Sequence, residues 1–146
     1  MYRPIQTKKK GDGVMRWKPE LSNISDKATI GEGTIVHSGC HIHDYVVIGE
    51  NCKIQAQVFI PNGVTIEDNV FVGPMVCFTN DPSLGDDFKP VPTLILRDAK
   101  IGANATIKAG VIIGVGAIIG MGSVVLNDVP ANQVWVGNPA KYLRDA

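Results

Sequence analysis

The sequence predicts an all-β chain wound as a parallel solenoid of three-sided coils. Two observations carry this reading. Apolar residues recur at a strict interval of six, and aromatics make up only 6% of a chain that is 45% hydrophobic. A core with few rings and many small aliphatics is built in short repeating layers, each closed by its neighbours.

The first run is Ile24, Ile30, Val36, Ile42, Ile48, Ile54, Ile60, Ile66, Val72 and Phe78. Four places after each of the first nine stands a small or β-branched residue: Ala28, Thr34, Cys40, Val46, Cys52, Val58, Val64, Val70 and Val76. The phase breaks after Phe78 and resumes at Ile95. It then continues through Ile101, Ile107, Ile113, Ile119 and Val125, with Ala99, Ala105, Val111, Ala117, Ser123 and Val129 as the small partners. A helix would place apolar residues at i, i+3, i+4 and i+7. A β-sandwich would show alternation broken at irregular intervals. Fixed sixes fit short strands joined by sharp turns, with one aliphatic per side aimed at the axis. Gly31, Gly49, Asn51, Gly63, Gly73, Gly102, Gly114 and Gly120 are the residues expected to supply positive φ at the corners. The repeats amount to about five coils, stacked ~4.8 Å apart. Each coil buries about three aliphatics, a gross gain of about 5–8 kcal/mol.

The totals bound the function. The 146 residues suit one domain, and 14 Lys+Arg balance 14 Asp+Glu, so no global charge points to nucleic acid or a membrane surface. No apolar run approaches the ~18 residues of a membrane span. An odd cysteine count (Cys40, Cys52, Cys77) without a signal peptide predicts a reduced, cytoplasmic protein.

The repeat fails in three places. Residues 1–21 form a basic extension with Arg3, Lys8, Lys9, Lys10, Arg16 and Lys18, ahead of the repeat domain at 22–146. Such an arm is either a solvated or subunit-crossing extension or a polyanion contact, and Trp17 is placed to cap the first coil. Residues 79–94 are polar, contain three prolines, and read as one extruded loop on the binding face. At the C-terminus Pro130 and Pro139 mark where the coils stop. A short capping helix carrying Lys141 and Arg144 is expected after Pro139.

The sixes match the [LIV]-[GAED]-x-x-[STAV]-x pattern and resemble the hexapeptide acyltransferases over about residues 22–144. That resemblance implies a left-handed parallel β-helix, a homotrimer, and active sites between subunits. The closing Val134-Trp135-Val136-Gly137-Asn138-Pro139-Ala140-Lys141 is similar to the end of many acetyltransferases of this type, which implies acetyl-CoA as cosubstrate. Lys141 and Arg144 would then lie near its phosphates, with its pantetheine against Gly102 and Gly120. Val70 through Asp81, followed by Pro92-Thr93-Leu94, resembles the nucleotide-sugar 3-amine N-acetyltransferases. These acetylate an amine on a UDP- or dTDP-linked sugar for cell-surface polysaccharide. The resemblance implies Asn80 as the residue that orients the amine and Asp81 as a proton acceptor or a loop-holding acid. It places His41, Gln55 and Gln57 against the sugar or nucleotide, and Gly73 near the backbone N–H that meets the oxyanion. The chain departs from that family where Pro82-Ser83-Leu84-Gly85 replaces a Tyr-Pro-Arg-type stretch.

An amine acceptor suits a loop without histidine, because a hydroxyl acceptor needs a general base. An aminosugar amine has a lowered pKa, so much of it is already neutral at pH 7 and it needs positioning more than deprotonation. His37, His41 and His43 raise the alternative of a metal-binding β-helix like a γ-class carbonic anhydrase, although no metal is expected at that spacing. Acetylation of a small alcohol or antibiotic is the other alternative.

Overall fold

The structure, a computed structural model, describes residues 21–84 and 89–146. The basic arm and Trp17 lie outside the described residues. From Asn23 to Val125 the chain coils through three sheets in strict rotation, every strand pairing in parallel. Face one holds β1 (Asn23–Ile24), β4 (His41–Ile42), β7 (Phe59–Ile60), β10 (Cys77–Phe78), β13 (Thr106–Ile107) and β16 (Val124–Val125). Face two holds β2 (Thr29–Ile30), β5 (Val47–Ile48), β8 (Val64–Ile66), β11 (Thr93–Ile95) and β14 (Ile112–Ile113). Face three holds β3 (Ile35–Val36), β6 (Lys53–Ile54), β9 (Phe71–Val72), β12 (Lys100–Ile101), β15 (Ile118–Ile119), β17 (Gln133–Val136) and β18 (Lys141–Asp145). The six strands of face one mark about six turns, one more than the repeat count suggests.

The two-residue strands follow from the repeat. One residue of each pair faces out and its successor is the periodic aliphatic, which faces the axis. Ile42, Ile48, Ile54, Ile60, Ile66, Ile95, Ile101, Ile107, Ile113 and Ile119 are all buried in one continuous core with Phe78 and the small partners. Where a small partner is polar it ties coils together. Thr34 Oγ1 donates to the Gly49 carbonyl (2.7 Å) and accepts from the Cys52 N–H (2.9 Å).

The corner glycines play a different part from the one expected. Positive φ recurs every six residues from 33 to 75 and from 98 to 122, three places after each buried aliphatic. Asn51 and Gly63 sit at such positions, but Gly31, Gly49, Gly73, Gly102, Gly114 and Gly120 do not. Those six directly follow the aliphatic, where the next coil passes underneath. A Cβ at Gly102 would lie 2.5 Å from Met121 N, and one at Gly73 would lie 2.6 Å from Ala103 N. Close approach, not left-handed backbone, demands glycine there.

The expected helix after Pro139 is a strand. β18 runs antiparallel to β17, pairing Val136 with Lys141 and Gln133 with Asp145. β17 would otherwise leave its outer N–H and C=O groups unpaired, and the returning chain supplies their partners. The loop is also shorter than 79–94. Thr79 N–H still donates to Ile107 O (3.0 Å), and Thr93 and Leu94 already belong to β11.

Candidate active site

The loop leaves the solenoid between β10 and β11, at the edge where face one turns into face two. Its base is closed by Val91 N–H donating to Asn80 O at 3.0 Å. Two threonines pin the feet to the coil below. Thr79 Oγ1 accepts from Ala109 N–H (2.9 Å), and Thr93 Oγ1, fully buried, accepts from Gly110 N–H (3.0 Å). Thr93→Val keeps the shape and removes the acceptor, so the half-buried Gly110 N–H is left without its partner. A stability loss of about 1–3 kcal/mol is expected, measured by thermal unfolding.

Successive coils stack residues eighteen apart, so this edge carries a column through His43-Asp44, Pro61-Asn62 and Thr79-Asn80. Asn80 Nδ2 donates to Asn62 O at 3.3 Å and makes a second, short contact with Asn62 Oδ1. The donor end of the Asn80 amide is thereby held, and its Oδ1 has no hydrogen-bond partner among the described residues. Asn62 carries no mark in the sequence, where Asn62-Gly63 reads as an ordinary turn. The signal that distinguishes it is its eighteen-residue distance from Asn80.

Asp81 accepts from Ser83 Oγ (2.6 Å) and Ser83 N–H (2.8 Å). These bonds, the hydroxyl first, hold its carboxyl below the usual carboxylate range. The geometry is that of a turn-holding acid. Its contribution is present above the ordinary carboxylate pKa and is lost as pH falls through the depressed one. At neutral pH, Asp81→Asn retains an acceptor for both Ser83 bonds, whereas Asp81→Ala does not. Limited proteolysis of the loop by a nonspecific protease is expected to quicken in Asp81→Ala and to stay near wild type in Asp81→Asn.

The other site residues divide between places. Gln55, Gly73, Gly102 and Gly120 form one column at a different edge, where face three turns into face one. Gln57 lies at the corner after Gln55, with φ of 60°. His41 is exposed on face one, between the two edges. Lys141 and Arg144 are exposed on β18 at the end of face three. The structure therefore brings Asn80 and Asp81 together, and separately Gln55 with the three glycines. The backbone near Gly73 offers no free donor for an oxyanion. Gly73 N–H donates to Ile101 O (2.8 Å), Pro74 has no N–H, and Met75 N–H donates to Ala56 O (2.9 Å). The three histidines are distributed likewise: His37 on the glycine edge, His41 on the face, His43 on the loop edge. Burial lowers the His37 pKa. No group of three or more His, Cys, Asp or Glu suited to a metal ion occurs among the described residues. No helix among them is long and apolar enough to cross a membrane.

A three-faced parallel solenoid of sixes, interrupted by one loop at an edge, is the architecture of hexapeptide-repeat proteins. The chain belongs to the bacterial transferase hexapeptide (six repeats) family, matching it over residues 27–62, 45–80 and 92–127. Among solved structures it is similar to a point mutant of perosamine N-acetyltransferase from Caulobacter crescentus, in complex with CoA and GDP-perosamine. That match has 26% identity and a TM-score of 0.76, and covers 86% of this chain and 54% of that one. The chain thus spans about half the length of that enzyme. It is also similar to a hexapeptide-repeat-containing acetyltransferase from Vibrio cholerae (29% identity, TM-score 0.72, 87% and 76% covered). A point mutant of AntD, an N-acyltransferase from Bacillus cereus in complex with dTDP and coenzyme A, shares the fold (21% identity, TM-score 0.72, 86% and 83% covered). A comparison with curated proteins finds no match.

Proposed function

We propose that this protein is an acetyl-CoA-dependent N-acetyltransferase acting on the 3-amino group of a nucleotide-linked sugar, in the cytoplasmic assembly of cell-surface polysaccharide. The working form is a left-handed β-helix assembled as a homotrimer. Exposed Val47 and Ile112 on face two are the kind of apolar surface such an assembly covers.

The observation that carries the reading is the Asn62–Asn80 pair at the foot of the loop. Its held amide leaves the uncharged Asn80 Oδ1 to accept an N–H from the incoming amine. The amine lone pair then attacks the thioester carbonyl carbon. As the tetrahedral species collapses, the C–S bond breaks and the departing thiolate takes the proton the nitrogen loses. Asp81 keeps the loop in place beside Asn80, and Lys141 and Arg144 offer cations for the phosphates of coenzyme A. Gly102 and Gly120 keep the other edge narrow. Perosamine N-acetyltransferase, whose complex holds CoA and an aminosugar nucleotide, supports the same pairing of substrates here.

The test is a thiol-release assay with acetyl-CoA and a panel of UDP-, dTDP- and GDP-linked aminosugars, with the matching hydroxy-sugars as controls. Turnover confined to an aminosugar supports the proposal. Turnover of hydroxy-sugars alone, or of none of the panel, overturns it.

A further inference from the structure

The loop edge carries a second feature above the Asn62–Asn80 pair. A hollow of about 390 Å³ is bounded by Asn23, Ser25, Ile42, His43, Asp44 and Asn62. Its volume falls in the ~300–1,000 Å³ range of small-molecule sites. Beside it, the Phe59 ring is 37% exposed and meets His43 edge-on, with centroids 5.0 Å apart at 78°. Asp44 is fixed in place, accepting a short hydrogen bond from Ser25 Oγ and another from Lys27 Nζ (2.7 Å). The Lys27 ammonium also lies 5.4 Å from the centroid of the Tyr45 ring.

On the transferase reading, we propose that this hollow holds the nucleoside end of the acceptor. The chemistry of its wall matches a nucleoside. The Asp44 carboxylate accepts from a ribose diol and the Asn23 and Asn62 amides read a base edge by donating and accepting, while the Phe59 ring, which borders the wall through His43, offers a stacking surface. Lys27 offsets the Asp44 charge, so a diphosphate passing nearby is not repelled.

The spacing agrees. Asn62 both lines the hollow and holds the Asn80 amide, so the two places are continuous along one edge. Asn80 and Asp44 are two coils apart, about 10 Å at the ordinary strand spacing. That gap accommodates the sugar and the diphosphate, with the amine at Asn80 and the nucleoside in the hollow. The placement differs from the sequence expectation, which puts nucleotide or sugar contacts at His41, Gln55 and Gln57.

The experiment is titration calorimetry with UDP, dTDP and GDP, without acetyl donor, on wild type, Phe59→Leu and Asp44→Asn. At least one nucleoside diphosphate is expected to bind. Phe59→Leu and Asp44→Asn are each expected to weaken it about fivefold or more, with coenzyme A binding unchanged. Both altered side chains are partly exposed, and thermal unfolding of the variants checks that they fold. The inference is overturned if none of the three nucleotides binds, or if one binds both the Phe59 and the Asp44 variants as tightly as wild type. The transferase reading stands on turnover, so nucleotide binding without turnover separates the failure of one from that of the other.

Discussion

Asn80→Ala is expected to lower kcat about tenfold or more while KM for acetyl-CoA holds and the assembly stays intact. On the proposed mechanism the side chain orients the amine, and it carries little of the fold. It is partly exposed, and its hydrogen bonds go to one neighbour, Asn62. Tenfold corresponds to about 1.4 kcal/mol of transition-state stabilisation, well within what positioning supplies. Asn62→Ala is the companion variant. It frees the Asn80 amide to rotate but leaves the acceptor oxygen present, so its kcat should fall less. Steady-state kinetics, with sedimentation to follow assembly, decide the matter. Full turnover in Asn80→Ala would remove Asn80 from the mechanism.

Gly102→Ala is expected to destabilise the protein by about 3 kcal/mol or more, because the new Cβ is driven into the backbone of the coil beneath. The obstacle is Met121 N at 2.5 Å, with Gly120 C and Ile119 O at 2.9 Å, and a peptide plane cannot swing aside as a side-chain tip can. Gly122→Asn is the informative contrast. A Cβ there meets nothing within 4 Å, and the φ of 68° suits Asn better than other side chains, so the loss should be about 1 kcal/mol or less. Thermal unfolding of both variants measures the difference. An unchanged melting temperature in Gly102→Ala with weakened coenzyme A binding would instead assign that glycine to the cosubstrate.

The sequence reveals the solenoid because its core obeys a single rule. Every sixth residue must fill the axis, so Ile42, Ile60 and Ile107 announce themselves without a partner being known. The loop is equally visible, since Phe78 and Ile95 lie out of phase. What stays hidden is whatever depends on three dimensions at once. Whether a corner glycine serves φ or close approach depends on the coil beneath, so Gly73 and Asn51 look alike in the sequence and differ in the structure. The hydroxyls of Thr79 and Thr93 find N–H partners 30 and 17 residues away, at Ala109 and Gly110, which no local motif marks. β18 reads as a helix in the sequence because the need of β17 for a partner is invisible from Lys141 onward. The Asn62–Asn80 pair is within reach: stepping by three repeats instead of one aligns the two amides.

A solenoid is in principle endless, since the rim of each coil is shaped to receive another. The antiparallel pairing of β18 on β17 breaks that logic on one face by turning the chain direction around. A chain cut before Lys141 would present β17 as a bare template running the same way as every rung behind it. End-to-end growth into fibres is the natural fate of such a rim. The strand Lys141–Asp145 thus covers, on one face, a rim that would otherwise accept another parallel rung.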